Sequence, residues 1–290
     1  MPKYISVLLF LCSLLCLSWI GCTQPVETRN GSFDAMTYNV HGLPSAITKD
    51  DTLGRLKQIG PKLNPFAIVG LQETFVDEGR EDLIKASTHP HQHEYSERID
   101  ESRAMGPGLL FFSKYKIVTT KQQYYTTCFG TLDNASDCLA SKGFHMIRIE
   151  LAEGLEIDVY NSHLEAGSGE EDKKVRATQV SEIKKAMKEW SDGKAILFLG
   201  DTNLKLTRDT DKTAITDWLK DLNLTDGCEA VSCAKEGRID RIFFRSAEQL
   251  QLTPKTWKIP EGFVDEKGTD LSDHEPIVVT FDWKEIVKTM

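Results

Sequence analysis

Eight short apolar runs, at residues 34–40, 67–71, 108–113, 144–151, 157–161, 195–199, 238–244 and 277–283, have the length and composition of β-strands. Between them lie windows with helical periodicity, at 52–63 and most clearly at 172–190, where Val175, Thr178/Gln179, Ile183, Ala186/Met187 and Trp190 mark one face. Interleaved strands and helices of this kind require a mixed α/β domain with a sheet core. The runs share a second property: polar residues collect where they stop. Asn39 closes the first, Gln72-Glu73 the second, Asn161-Ser-His163 a middle one and Gly200-Asp201-Thr-Asn203 another. Asp240 lies at the start of a run, and Asp273-His274 comes just before the last. A rigid sheet can aim such residues from distant sequence into one pocket. Taken singly, each is more simply a turn former or a structural histidine.

The chain has 290 residues, 40% apolar and 27% charged, which is enough to bury a sizeable core and excludes collagen-like, disordered and multi-span membrane classes. With 35 basic against 44 acidic residues its net charge is −9, an unfavourable balance for gripping a polyanion, although a local basic patch would still serve. No repeat, low-complexity block or linker divides it. The expected organisation is a signal segment at 1–21, a tether at 22–32 and a catalytic domain at 33–290.

Lys3, an uncharged run of 17 residues at 4–20 and then Gly21-Cys22 read as a signal peptide, with an uncleaved anchor as the alternative. The segment Leu17-Ser-Trp-Ile-Gly21-Cys22 resembles a bacterial lipobox, with Trp19 where Leu is usual, so the expected location is exported, either as a membrane-anchored lipoprotein of the cell envelope or secreted. Cys128, Cys138, Cys228 and Cys233 then form an even set. Nearness in sequence favours the pairs Cys128–Cys138 and Cys228–Cys233, and a four-cysteine zinc site is the rival without the usual CxxC spacing.

The ordered set Thr37-Tyr-Asn39-Val, Leu71-Gln-Glu73, Asn161-Ser-His163-Leu, Leu199-Gly-Asp201-Thr-Asn203, Ile239-Asp240-Arg-Ile and Leu271-Ser-Asp273-His274-Glu-Pro resembles the endonuclease/exonuclease/phosphatase superfamily. Within it, Asn39-Val-His-Gly-Leu-Pro44, Gly106-Pro-Gly-Leu-Leu-Phe-Phe-Ser-Lys114, Leu139-Ala-Ser-Lys142-Gly-Phe and His163-Leu-Glu-Ala-Gly, with Arg176 and Gln179, are similar to the neutral sphingomyelinase branch. The resemblance implies a four-layer α/β/β/α sandwich of two packed sheets, a divalent cation and hydrolysis of a phosphoester by water. The sequence departs from the usual Gly-Asp-Phe/Leu-Asn by placing Thr202 between the two polar residues, and its side chain is expected to point away from the site.

Carried over residue by residue, the resemblance makes Glu73, assisted by Asn39, the ligands of Mg2+, with Mn2+ or another divalent cation as alternatives, and sets Asp273 beside the metal. It makes His274 the base that takes a proton from the attacking water, Asp240 the carboxylate that orients its ring, and Asp201 and Asn203 the groups that hold water and phosphoryl oxygen. His163 would donate a hydrogen bond to the phosphate. These roles suit the chemistry, since an anionic phosphodiester needs charge neutralisation, an activated nucleophile and a protonated leaving group, and hard cations take oxygen ligands.

Other residues carry less. His89, His91 and His93 alternate in what reads as a solvated loop, His145 as packing on a strand, and His41 as a residue bordering the pocket. Lys142 is a surface lysine by default, with phosphate contact as the alternative. Lys184, Lys185 and Lys188 belong to the exposed face of the long helix.

Two enzyme readings compete. A sphingomyelinase-like phospholipase C would take a phospholipid as a monomer, with membrane contact through a lipid anchor and the aromatics of 124–129 and 257–263, which otherwise cover the core. A DNase-like nuclease would need Arg238, Arg241, Lys114 and Arg103 around the cleft. Nucleic acid is the less favoured partner on charge. A phosphomonoesterase and a non-catalytic phosphate-binding surface protein complete the alternatives.

Overall fold

The computed structural model describes residues 28–130, 134–233 and 237–287. The signal segment, Cys22 and most of the tether lie outside the described residues. In chain order the elements are β1 (Asn30–Asn39), α1 (Ser45–Thr48), α2 (Thr52–Leu63), β2 (Ile68–Gln72), α3 (Asp77–Ala86), β3 (His91–Tyr95), β4 (Leu109–Ser113), β5 (Lys116–Tyr124), β6 (Gly143–Ala152), β7 (Leu155–His163), α4 (Glu170–Trp190), β8 (Ala195–Asp201), α5 (Asp209–Leu222), β9 (Thr225–Asp226), α6 (Gly227–Ala230), β10 (Asp240–Arg245), β11 (Leu250–Lys258) and β12 (Ile277–Glu285).

The strands form two six-stranded mixed sheets, ordered β11-β12-β1-β2-β4-β3 and β5-β6-β7-β8-β10-β9. Their inner faces meet through Ala35, Ile68, Phe111, Ile147, Val159, Leu197, Leu199, Val279 and Phe281, all fully buried. A second core, with Met36, Leu56, Ile59, Leu63 and Leu83, seats α2 and α3 on the outside of the first sheet. A third, with Ile183, Met187, Phe198, Ile215 and Trp218, seats α4 and α5 on the second. These are the four layers expected. Because β1 and β2 run parallel in one sheet and β7 and β8 in the other, the polar ends of all four can gather at one edge of the sandwich.

All eight apolar runs are strands, and the two helical windows are α2 and α4. The strands that the apolar pattern does not announce, β3, β5, β9 and β11, are the four sheet edges. An edge strand needs no continuous apolar run and is protected from further pairing by polar side chains, as in Lys116–Tyr124. His91 and His93 therefore lie on an edge strand rather than in a loop. The buried face of α4 includes Gln179, Ile183, Ala186 and Met187 as expected, but at its start Asp172, Arg176 and Val180 are inside while Val175 is only half-buried and Thr178 exposed, because the polar members make internal hydrogen bonds that hydrophobicity alone does not register. Cys128 pairs with Cys138 and Cys228 with Cys233.

The contact between the sheets carries the fold, so truncating it should register directly. Leu197→Ala should lower the unfolding free energy by about 2–5 kcal/mol, the usual range for a buried leucine. Urea denaturation followed by tryptophan fluorescence measures this, and an unchanged midpoint would show that the inter-sheet core is not close-packed there.

Candidate active site

His163, Asp201 and Asp240 occupy one cross-strand row, since β7 pairs with β8 and β8 with β10 at these residues. Asn39 and Gln72 are partners at the ends of β1 and β2 in the other sheet. The two groups meet at Asn39, whose Nδ2 donates to Glu73 Oε1 at 2.8 Å and to Asp201 Oδ2 at 3.1 Å. The Asn39 Oδ1 accepts the His41 backbone N–H at 3.0 Å. Asn39 thus ties two acids together and keeps an oxygen lone pair for a further contact.

The loop before β12 is sewn to the same place. Ser272 Oγ donates to the Asn39 carbonyl at 2.7 Å and accepts from the His274 N–H at 3.2 Å. Arg55 of α2 donates to the carbonyls of Val40, His41 and Leu271, joining the loops after β1 and before β12. Backbone strain gathers here: of the six non-glycine residues with left-handed φ among the described residues, His41, Glu73 and Asn203 are three. Such conformations persist only where surrounding contacts hold them. Gly42 is needed for the same packing, because its N–H donates to the Glu73 carbonyl at 2.9 Å and a Cβ would stand 2.4 Å from that oxygen.

His274 Nδ1 and Asp240 Oδ2 are 2.8 Å apart, and His274 Nε2 lies 3.7 Å from Asp201 Oδ2. Burial lowers the His274 pKa, but the hydrogen bond and charge of Asp240, with Asp201 and Asp273, outweigh it and raise the ring to about 10. Burial, reinforced by Asp240, pushes Asp201 up to about 7. Glu73 goes the other way, down to about 2: burial alone would raise it, and the neighbouring His41, His163 and Asn39 together prevail. His163 is fully enclosed, and burial drives its pKa well below the usual value. Its Nε2 is 3.2 Å from Asn203 Nδ2 and 3.5 Å from Asp201 Oδ2.

Of the residues singled out in the sequence, Asn39, Glu73, His163, Asp201, Asn203, Asp240 and His274 are brought together. Asp273 stands at the rim, largely exposed, with its Oδ1 at 3.3 Å from His41 Nδ1, and His41 links it to Glu73 at 3.7 Å. His41 is therefore more central than its place in a turn suggests. Thr202 points away as expected and donates to the Ile239 carbonyl at 2.7 Å. Lys142 is not at the surface. It is buried, with its Nζ 2.5 Å from Asp137 and donating to the Leu164 carbonyl at 2.7 Å, so it braces the turn after His163. Lys184 pairs with Asp221 of α5 at 2.6 Å.

The donor set fits a hard divalent cation. Glu73 Oε2 and Asp240 Oδ1 are buried carboxylate oxygens with no hydrogen-bond partner, a costly condition unless a cation satisfies them. Asp201, Asp240 and His274 also present ligand atoms within 4.8 Å of one another. The His274 ring is committed to Asp240, and Glu73 is a further carboxylate that could hold such a cation.

The chain matches the model of the Endonuclease/Exonuclease/phosphatase family 2 over residues 36–226, a span that holds Asn39, Glu73, His163, Asp201 and Asn203, and it belongs to that family. Sphingomyelinases of Mycobacterium tuberculosis and Mycobacterium bovis are 29% identical to it over 91% of its length. The chain spans about half, 55%, of those relatives. Among solved structures, SmcL superposes with a TM-score of 0.65 at 20% identity, over 87% of this chain and 99% of its own. A Staphylococcus aureus beta toxin with bound magnesium ions gives 0.66 at 20% identity over 86% and 99%.

Glu165, two residues beyond His163, is fully buried, and burial with the nearby Asp137 raises its carboxyl to about 7. The folded chain therefore holds this proton more tightly than the unfolded chain. Its contribution to stability is complete below about pH 4.3, the free glutamate value, and is lost as the pH rises through about 7. Glu165→Gln should flatten the decline in urea midpoint between these limits, and a decline as steep as in the unaltered protein would show that Glu165 is not its source.

Proposed function

We propose that the chain is a Mg2+-dependent phosphodiesterase of the sphingomyelinase-like phospholipase C type, cutting the bond between a lipid alcohol and a phosphorylated headgroup. The observation that carries this reading is the His274–Asp240 hydrogen bond set beside Asp201 and the unpaired Glu73 oxygen. Mg2+ held by Glu73, with Asn39 adjoining, would supply charge neutralisation on a phosphoryl oxygen and on the leaving alkoxide.

The chain's own residues do the rest. Asp240 fixes the proton of His274 on Nδ1, which leaves Nε2 to accept a proton from the attacking water. The carboxylates of Asp240, Asp201 and Asp273 raise the basicity of the ring. Asp201 accepts the Asn203 backbone N–H at 3.0 Å, and the pair orient water and phosphoryl oxygen. His163, next to Asn203, faces the phosphate as charge builds.

The lipid reading is favoured over the nuclease by where the arginines go. Arg238 and Arg241 are buried on Asp226 at 2.9 and 3.2 Å, Arg103 donates to the Cys138 carbonyl, and Lys114 donates to the Pro65 carbonyl. Paired with Asp226 or with backbone carbonyls, and with Lys114 at the end of β4 away from the cleft, they do not make a continuous track for a nucleic-acid backbone. The cavity of about 520 Å3 beside His274 is lined by Trp257, Asp240, Asp270, Asp273 and Glu275 together with Arg238, so acids outnumber the single arginine, which suits a cationic headgroup. Tyr125 and Phe263 are core residues, the first hydrogen-bonded to Ser162 and the second packed on Tyr38 and Phe66. Trp257 packs against the inter-sheet core from β11, and Tyr124, Phe129 and Trp257 are the half-buried aromatics of these two segments that remain for membrane contact. Residues 1–21 as an export signal, lipidation at Cys22 and a monomeric catalytic domain from residue 33 complete the proposal. Among the described residues no helix is long and apolar enough to cross a membrane.

The purified chain should release the headgroup from sphingomyelin vesicles in Mg2+, lose this in EDTA, and leave plasmid DNA intact. Cleavage of DNA but not lipid would replace the substrate and keep the chemistry. His274→Ala should lower turnover about 10²–10⁴-fold, the range for loss of a general base; Glu73→Ala and Asp201→Ala should also collapse it. Unaltered turnover in His274→Ala would sink the mechanism.

A further inference from the structure

A chain of buried polar side chains runs beneath the site and is used by none of the steps above. It begins at His93 on β3, the edge of one sheet, and crosses to His145 on β6 of the other, with the two Nδ1 atoms 3.1 Å apart. His145 is fully buried and stacked on Phe111 with ring centres 4.4 Å apart. Its Nε2 is 3.2 Å from Nδ2 of Asn161, its register partner on β7. Asn161 Nδ2 also donates to the Leu71 carbonyl at 2.9 Å, and Asn161 Oδ1 accepts from Gln72 Nε2 at 2.7 Å. Gln72 is in turn 3.1 Å from Thr37 Oγ1.

Donor accounting gives this chain a single direction. Gln72 donates to the Asn161 oxygen, so the Asn161 nitrogen must donate to Leu71 and to His145. The His145 Nε2 is then a bare acceptor, its proton sits on Nδ1 and is donated to His93, and the His93 proton sits on Nε2. Burial lowers the pKa of both rings, in keeping with neutral forms.

The far end of the chain is the peptide segment that carries Glu73. Asn161 grips the Leu71 carbonyl and the Gln72 side chain, the two residues before Glu73, whose φ of 59° is an unfavourable conformation for a glutamate. Gly70 leaves room for this grip, since a Cβ there would stand 3.3 Å from Asn161 Cγ. Without the His145 acceptor, one Asn161 N–H would be left with only the Leu110 carbonyl, 3.5 Å away, and the amide would be held less firmly against β2.

We propose that His145, backed by His93, is a positioning residue for Glu73, acting through Asn161 and Gln72 to hold the carboxylate in its cation-binding orientation. This rests on the reading of Glu73 as a cation ligand. The test compares His145→Phe, which keeps the ring stack but offers no acceptor, with His145→Gln, which keeps an acceptor. Mg2+ affinity measured by calorimetry should fall about 10–100-fold in His145→Phe, as is usual when a group that orients a ligand is removed. The Gln variant should recover most of the loss. On sphingomyelin vesicles kcat should fall in parallel with KM little changed. Nitrogen-15 NMR of the unaltered protein should show His145 protonated on Nδ1 and His93 on Nε2, a readout that stands if the Phe variant does not fold. A folded His145→Phe with unaltered Mg2+ affinity, or the opposite tautomers, would overturn the proposal. Glu73→Ala separates the two levels: if it leaves Mg2+ binding unchanged, the cation reading itself fails and this inference with it, whereas loss of binding there with none in His145→Phe defeats only the positioning role.

Discussion

The Asn39 amide joins the two halves of the molecule at the point where they would otherwise repel. Glu73 hangs from the end of β2 in one sheet and Asp201 ends β8 in the other, so packing the sheets brings two carboxylates to the same seam. The two protons of the Asn39 amide satisfy one oxygen of each, at 2.8 and 3.1 Å, and its carbonyl groups anchor His41 and Ser272. Through Ser272 the His274 loop is placed, and through His274 the ring meets Asp240. A buried acid without hydrogen-bond donors would more readily take up a proton. Asn39 thus holds the two carboxylates at one seam, with His41 and His163 doing more to keep Glu73 ionised.

That charge gives the acidic composition a specific meaning. A net −9 disfavours a polyanion when spread over a surface, but here several acids converge on one cleft, where on the proposed reading they would draw in a cation able to receive an anionic phosphate. The opposed shifts of Glu73 and Asp201 divide the labour. Glu73 stays ionised because histidines and an amide surround it, and Asp201 lies against Asp240 in a dry pocket where a proton or a positive neighbour is needed.

Much of this was legible in the sequence because strand ends and motif residues coincide. Asn39, Glu73, His163, Asp201, Asp240 and His274 each stand at the end or start of a strand, so locating the strands almost locates the site. What escaped had polar or mixed character. The four edge strands lack apolar runs, α3 and α5 carry charges through their turns, and the burial of Arg176, Lys142 and Gln179 depends on hydrogen bonds made at a distance in sequence. His145 reads locally as packing, and only the pairing of β6 with β7 brings it to Asn161 and the packing of the two sheets to His93. A histidine's tautomer is set by its neighbours in space, which one strand's sequence does not contain.

The same reasoning bears on substrate choice. Arg238 and Arg241, the cations nearest the catalytic row in sequence, are turned inward to neutralise Asp226, which caps α6 through the Cys228 N–H. Burial and the adjacent Arg238 lower the Arg241 pKa to about 10, the signature of a cation held away from water. The rim that remains, with Trp257, Asp270, Asp273 and Glu275 beside His274, holds more acids than bases, Arg238 being the arginine among them. On the proposed reading, a continuous polyanion entering that rim would meet several carboxylates, whereas a single diester whose alcohol bears a positive charge would meet compensation at both ends, which favours a zwitterionic headgroup over a nucleic-acid backbone.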